Sequence, residues 1–320
     1  MHLDNILPML RKDFKIKGAS ELAQEGRNAS VYQLTSERGA RFALKLYKSP
    51  CIATRKEKYE REIYFLRWLD ANKIGNIPKL VAHDSASHWC LMTWIEGERI
   101  KSLSDSNIRQ IASFLRRINP AGFHIANKNY KHRASEPITS AEEFTPTIYT
   151  RCVFLKNLDH KEDQLTEEIQ NWIKKELFPA TIREAEKLAD HAKENHWNHE
   201  NIGMYLSPSD VGLHNTILHK GQLYFMDFEH AGKDDLSKTI ADWTLQPEYT
   251  FSANLTSTFL NAILENFQSD GWLERYHQIR PLIRLKWILI MLRDYKENRI
   301  KEDQWRKVMN YYEVTQPSHT

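Results

Sequence analysis

Several features that would point directly to a function are scarce or missing in this chain of 320 residues. Its only cysteines, Cys51, Cys90 and Cys152, form no Cys-x-x-Cys pair, which argues against a disulfide framework and a thiolate zinc site. The longest apolar stretch, Trp287 to Leu292, is far too short to span a bilayer. The first residues show no basic segment followed by a long apolar run. We therefore expect a cytoplasmic protein with no membrane partner.

A charge excess and a glycine-rich phosphate loop are missing as well. The chain has 45 basic and 42 acidic residues and a net charge of +3, so nucleic acid is not an expected partner. It contains no Gly-x-x-x-x-Gly-Lys-Ser/Thr element, which excludes a P-loop enzyme. With 41% hydrophobic residues and this length, the chain can still form a sizeable core.

The most informative pattern is the spacing of Asp210, Asn215 and Asp227. Transfer of a γ-phosphoryl group needs held phosphates, a metal ion and a carboxylate that orients the acceptor hydroxyl. Asp210 can supply that carboxylate, and the oxygens of Asn215 and Asp227 are ligands that suit Mg²⁺. A predicted hairpin around His219-Lys-Gly-Gln would bring Asp227 back beside Asn215. Each residue alone is more simply a cap or turn residue.

Two charged residues upstream support this chemistry. Lys45 lies in the strand-like run Phe42-Ala-Leu-Lys-Leu-Tyr, and Glu62 lies on a predicted helix that follows it. A strand Lys paired with a helix Glu holds the α- and β-phosphates in kinase-like folds. The alternative is that both are exposed charges, the usual situation for these residue types.

The predicted secondary structure changes from mostly strands to mostly helices near Gly97. Residues 20–94 read as short strands around one helix, and the rest of the chain is mostly helical. Residues 120–147 read as a long loop. Predicted helices cover 56–71, 105–118 with Ser104 or Asp105 as the N-cap, 165–195 with a break near Pro179, 259–267 and 280–295.

These motifs together resemble the aminoglycoside phosphotransferase and choline kinase family, from roughly Ala29 to Trp243. The Ala-x-Lys strand, the helix pattern at Glu62, the loop ending at Asn215 and the later Asp227-Phe-Glu occur in the family's order. The resemblance implies an α+β, two-lobed protein-kinase-like fold. An antiparallel-sheet N-lobe would cover residues 1–96, and a mainly helical C-lobe would cover 97–320.

The resemblance also implies ATP and Mg²⁺ as cofactors and assigns further residues. Asn28 and Ser30, in a glycine-poor nucleotide loop, would contact phosphates, and Thr93 and Ile95 would lie in the linker that meets adenine. Asp242 would be structural, bonding catalytic-loop amides from the start of a helix. Pro208 stands where the family has a His, and its effect on the geometry of the catalytic loop stays open.

The acceptor is the open question. Residues 241–320 hold ten acidic and ten basic residues, which favours a neutral or anionic hydroxyl compound such as a sugar over a polycation. A choline or amino-alcohol kinase remains an alternative because Trp243, Trp272 and Trp287 could form an aromatic cage. An aminoglycoside kinase is another, and a nucleotide-binding pseudokinase is the alternative of a different class. The roles of His214 and of the Arg280, Arg284, Lys286 and Arg293 group stay open, as does the oligomeric state.

Overall fold

The computed structural model describes residues 3–21, 29–120, 130–138, 140–158, 163–195, 197, 204–210, 212–267 and 271–316. The chain divides into two compact units. The first comprises Met1–Pro120 and Pro208–Gly232, and the second comprises Ala121–Ser207 and Lys233–Thr320. Position 96, the expected lobe boundary, lies inside the first unit, and its role as a boundary stays a prediction. Within the described ranges, no helix is long and apolar enough to cross a membrane.

The first unit contains a five-stranded antiparallel sheet, and an antiparallel sheet in this part of the chain is what the family resemblance implies. Its strand order is β1-β2-β3-β5-β4. The strands are β1 (Ile16–Glu21), β2 (Ala29–Ser36), β3 (Arg41–Tyr47), β4 (Leu80–Asp84) and β5 (Trp89–Thr93). Because β3 is the central strand, it is the strand most firmly held by its neighbours, and it carries Lys45.

Two helices pack on this sheet. Helix α1 (Leu3–Phe14) is absent from the sequence-based prediction and includes Pro8 in its interior. Helix α2 (Ile52–Ala71) begins before the predicted start at Lys56. Ile6 and Leu10 of α1 share one hydrophobic cluster with the sheet residues Ile16, Leu34, Leu44, Leu46, Trp89 and Leu91. This cluster holds α1 against the sheet. Glu62 lies on the other helix, α2.

A three-stranded sheet completes the first unit, with β6 (Glu98–Arg99), β8 (Thr216–His219) and β9 (Gln222–Phe225) in the order β6-β8-β9. Helix α3 (Asp105–Ile118) has the predicted bounds, and Ser104, one of the two predicted cap candidates, forms a capping box with Asn107. Gln110 of α3 ties down the β8–β9 hairpin: its Nε2 donates to the Gly221 carbonyl at 3.0 Å, and its Oε1 accepts from the Leu223 amide at 2.8 Å. These two bonds fix the hairpin that immediately precedes Asp227 in the chain.

Gly97 is required where the chain enters β6. It has φ +131°, and a Cβ atom at this position would lie 2.3 Å from the carbonyl oxygen of Leu218. We expect Gly97→Ala to lower the free energy of unfolding by about 3 kcal/mol, since backbone strain and a backbone clash add. Gly39→Ala is the matched control, because Gly39 also has positive φ (+81°) but has open space around it. It should cost only about 1 kcal/mol in urea unfolding. Equal losses in the two variants would contradict the role of the close approach.

The second unit is mainly helical. Its strands β7 (Met204–Ser207) and β10 (Gly232–Asp235) form a two-stranded sheet. Its helices are α4 (Ala141–Lys156), α5 (Gln164–Trp172), α6 (Phe178–Glu194), α7 (Leu236–Thr244), α8 (Ala253–Leu264), α9 (Trp272–Met291), α10 (Arg293–Lys296) and α11 (Glu302–Val314). The packing of α9 on α7 and of α6 on α4 forms its core.

Three predictions for this unit need correction. The stretch 120–147 is not loop throughout, because α4 begins at Ala141 with the Ser140 hydroxyl accepting from the Glu143 amide. The two predicted helices are present, but the predicted break near Pro179 is a π-helical turn, Ile173–Leu177, through which the helical backbone continues from α5 into α6. Pro179 lies in the first turn of α6, directly after the π-helical turn. Asp242 lies near the end of α7, not at the start of a helix.

Buried ion pairs hold α7 to α9. Lys238 bonds Asp234 at 2.8 Å and Asp242 at 2.9 Å, and Lys286 of α9 also pairs with Asp242. Buried charges require such partners.

Arg284 donates from Nε to the Thr315 hydroxyl at 2.9 Å and from Nη2 to the Tyr312 carbonyl at 2.7 Å. Arg293 pairs with Glu297 at 3.1 Å. Three members of the basic group on α9 and α10 therefore have structural partners.

Candidate active site

Lys45 is the centre of a charged cluster in the first unit. Its Nζ atom lies 2.6 Å from Glu62 Oε2, 2.5 Å from Asp227 Oδ1 and 3.1 Å from Glu229 Oε2. The side chains of Lys45 and Glu62 are 5% and 0% exposed, whereas that of Asp227 is 39% exposed. The predicted pair of strand Lys and helix Glu is thus formed, and it meets one predicted metal ligand.

Burial and charge oppose each other at Lys45. Burial alone lowers the pKa of its ammonium, but the negative charges of Asp227, Glu229 and Glu62 outweigh that effect and raise the pKa well above its ordinary value. Lys45 is therefore a permanent cation at physiological pH.

Glu229 is a functional candidate that the sequence analysis missed. It is 2% exposed, and its Oε1 lies 3.7 Å from Lys58 and 3.3 Å from His230 Nε2. Burial raises the pKa of this carboxyl, but Lys45, His230 and Lys58 outweigh burial and hold the pKa well below its usual range. Its position two residues after Asp227, within Asp-Phe-Glu, was the available signal.

The segment between β7 and β8 carries Asp210 and Asn215. The Asn215 side-chain Nδ2 donates to the Asp210 carbonyl at 2.7 Å, so the Oδ1 end of this amide is the end that can meet a cation. The Met226 amide donates to the Asn215 carbonyl at 3.0 Å. That backbone bond places the residue before Asp227 against Asn215, as the predicted hairpin requires.

Two backbone positions around these residues are strained. Ser209 and Asp227 have φ of +64° and +65°, the left-handed region that non-glycine residues rarely occupy. Such positions cost about 1–3 kcal/mol each and concentrate at functional sites. Ser209 precedes the predicted catalytic residue Asp210, and Asp227 is a predicted metal ligand, which fits backbone shaped for the placement of side chains.

His214 lies against Asp210. Its Nε2 is 3.3 Å from Asp210 Oδ2, and the two side chains are 32% and 35% exposed. Pro208, which stands where the family has a His, is buried. His214 therefore places an imidazole beside the Asp210 carboxylate. It follows Asp210 in the chain, whereas the family's His, at the position of Pro208, precedes it.

The remaining predicted nucleotide residues are less informative. Ser30 on β2 is buried and pairs in register with Leu46, beside Lys45. The Thr93 amide donates to the Lys79 carbonyl at 2.9 Å, and its hydroxyl accepts from the Lys79 amide at 2.9 Å, so both are used in holding β5. Ile95 follows β5 and is half-buried. Asn28 lies outside the described residues.

Aromatic packing supports the segment behind Asp227. Phe228 lies 5.0 Å from Phe65 of α2 and 6.4 Å from Phe114 of α3, measured between ring centroids. Phe114 in turn stacks on Phe225 at 4.2 Å. The Phe228 amide also donates to Glu62 Oε1 at 3.3 Å. Packing of α2 and α3 therefore fixes the backbone on which Asp227 and Glu229 stand.

Residues 20–282 match the model of the phosphotransferase enzyme family, which covers most of the chain. The chain belongs to this family. The match confirms the resemblance drawn from Lys45, Glu62, Asn215 and Asp227, and with it the α+β, protein-kinase-like fold. Members of this family transfer a phosphoryl group, and the match therefore assigns the chain to the kinases among the transferases.

Solved structures of several phosphotransferases and kinases share the fold with this chain at low sequence identity. An ADP-bound aminoglycoside phosphotransferase, APH(2'')-Ib, is 16% identical, with 98% of each chain covered and a TM-score of 0.66. The AMP-bound spectinomycin phosphotransferase APH(9)-Ia is 14% identical, with 99% of this chain and 96% of that chain covered and a TM-score of 0.66. The choline kinase LicA from Streptococcus pneumoniae is 16% identical, with coverages of 98% and 99% and a TM-score of 0.63. No curated protein sequence matches the chain significantly.

Proposed function

We propose that this protein transfers the γ-phosphoryl group of ATP, with Mg²⁺, to a hydroxyl group of a small metabolite. The observation that carries the proposal is the Lys45 ammonium held by Glu62 and bonded to Asp227, with the backbone amide just before Asp227 tied to Asn215. Lys45 has three donors and can keep Glu62 while it meets phosphate oxygens. Asp210, in the same loop, accepts or orients the acceptor proton.

The donor set fits a hard divalent cation. Carboxylate oxygens of Glu62, Asp227 and Glu229 lie within 4.8 Å of one another, and Asp227 is the accessible member of the three. Asp227 and the Oδ1 of Asn215 would hold Mg²⁺, which prefers such oxygen ligands. When bound, the ion would supply neutralisation of phosphate charge. The residues themselves place the phosphates, through Lys45, and the hydroxyl, through Asp210.

For the acceptor we favour a neutral sugar-like compound over a quaternary amine. Trp243 stacks on Phe259 at 5.6 Å, and Trp272 is 0% exposed, so both tryptophans are occupied in the core of the second unit. That leaves Trp287 alone of the three candidate cage residues. The ion pairs and hydrogen bonds of Lys286, Arg284 and Arg293 likewise reduce the support for an anionic acceptor.

The proposal is tested by an ATP-consumption screen of the full chain against pooled sugars, amino alcohols and aminoglycosides. A hit among the sugars that requires Mg²⁺ is the expected result. A hit confined to amino alcohols or aminoglycosides would replace the acceptor and keep the phosphotransferase assignment. Calorimetry with Mg-ADP is the parallel arm: absence of binding at millimolar nucleotide would overturn the proposal and favour a non-enzymatic protein that acts through a partner. Binding of Mg-ADP without turnover of any pooled compound would instead favour the nucleotide-binding pseudokinase.

A further inference from the structure

Tyr47 contacts both members of the central ion pair. It lies two residues after Lys45 on β3, so both side chains point to the same face of the strand. Its hydroxyl donates to Glu62 Oε2 at 2.5 Å, the oxygen that Lys45 also contacts. The Lys45 ammonium lies 4.9 Å from the centroid of the Tyr47 ring. The mechanism proposed for Lys45, Asp210 and the cation gives this tyrosine no role.

We propose that Tyr47 is a positioning residue that fixes the Glu62 carboxylate and, through it, the Lys45 ammonium for phosphate binding. This inference rests on the proposed function, because it assigns Lys45 to the phosphates. The hydroxyl keeps one oxygen of Glu62 in place whatever Lys45 contacts. The Phe228 amide holds the other oxygen. Glu62 is thus oriented from two sides that do not depend on a bound nucleotide.

The burial of all three groups makes the hydroxyl important. Tyr47 is 3% exposed and Glu62 is 0% exposed, so water does not replace a missing donor at this carboxylate. A buried carboxylate keeps its orientation through the hydrogen-bond donors around it. Among the described residues, those donors are Lys45, the Phe228 amide and the Tyr47 hydroxyl.

The contacts of Tyr47 show what a phenylalanine at this position would keep and what it would lose. The Tyr47 ring packs edge-on against Tyr59 of α2 at 5.7 Å, and its hydroxyl also lies 3.6 Å from the buried Cys90 sulfur. The substitution Tyr47→Phe would keep the ring packing but leave the Glu62 oxygen with Lys45 as its remaining partner. When Lys45 turns toward phosphates, Glu62 would lose its fixed orientation.

The test is a double-mutant cycle on the affinity of the full chain for Mg-ADP, measured by calorimetry. We expect Tyr47→Phe to weaken binding about ten-fold, the usual cost of a hydrogen bond to a charged group. In a Glu62→Gln background the same change should have no effect of its own, because it acts through the carboxylate. Tyr32→Phe on β2 is the matched control and should leave the affinity unchanged. Equal losses in both backgrounds would overturn the inference.

A second arm does not need nucleotide. Acetylation of Lys45 by acetic anhydride in the free protein, followed by peptide mass spectrometry, reports how firmly the ammonium is held. Tyr47→Phe should speed acetylation about five-fold, and only where Glu62 is present. If the wild-type protein binds no Mg-ADP but this acetylation result holds, the proposed function fails and the positioning role stands. If the wild type binds and neither measurement responds to Tyr47→Phe, the positioning role fails alone.

Discussion

Replacing Asp210 with Asn is expected to lower kcat by about 10²–10⁴-fold while Mg-nucleotide affinity stays within about two-fold of wild type. The substitution keeps the size of the side chain and removes the charge that would accept or orient the acceptor proton. The Asp210 backbone carbonyl still accepts from Asn215, so the loop keeps its internal bond. Turnover is measured on the substrate found in the screen, and affinity by calorimetry with Mg-ADP.

Asp70→Asn is the matched control for this prediction. Asp70 is exposed near the end of α2, in the same compact unit, and its side chain has no role in the proposed mechanism. It should leave both kcat and affinity unchanged. Full activity in Asp210→Asn would remove Asp210 from the mechanism. A loss of affinity equal to the loss of turnover would instead assign it to nucleotide binding.

Removal of the Asp227 carboxylate is expected to abolish most of the Mg²⁺-dependent gain in nucleotide affinity. For Asp227→Ala we expect Kd for Mg-ADP to rise about 100-fold, roughly 2.7 kcal/mol, with a much smaller change in EDTA. The reason is that Asp227 is the accessible carboxylate of the cluster and the proposed ligand of the cation. Calorimetry with and without Mg²⁺ measures both values.

A second variant separates charge from backbone strain at this position. Asp227 has φ +65°, which Asn tolerates better than Ala. Asp227→Asn should lose the Mg²⁺-dependent affinity like Asp227→Ala, because it also removes the carboxylate charge. Its free energy of unfolding should stay closer to that of the wild type, because Asn tolerates the positive φ. If both variants lose as much affinity in EDTA as in Mg²⁺, Asp227 contributes through Lys45 and not through a cation.

Much of the site could be predicted from local sequence. Lys45 on a strand, Glu62 on the following helix and the hairpin between Asn215 and Asp227 all depend on periodicity and turn chemistry within short segments. The helix at Asp105–Ile118 and its Ser104 cap follow from the same kind of signal. The family resemblance rested on the order of these elements, and the family match confirms it.

Other features carried no readable local signal. Helix α1 has Pro8 in its interior, which argues against a helix, yet packing of Ile6 and Leu10 on the sheet outweighs it. The continuous connection through Ile173–Leu177 depends on a π-helical turn that no propensity predicts. The partners of Lys286 and Arg284 come from distant segments, so spacing left their roles undecided.

The sequence by itself determined the candidate groups of the proposed chemistry, because Lys45, Glu62, Asn215 and Asp227 lie in motifs that local patterns reveal, and the order of those motifs carried the family resemblance that implied the fold class. Only the tertiary structure decided how those groups are held. Glu229 and Tyr47 belong to the Lys45 cluster because packing brings β3, α2 and the segment after β9 together. A buried charge needs partners, and most partners of Lys45 lie far from it along the chain, where local sequence patterns carry no information about contact.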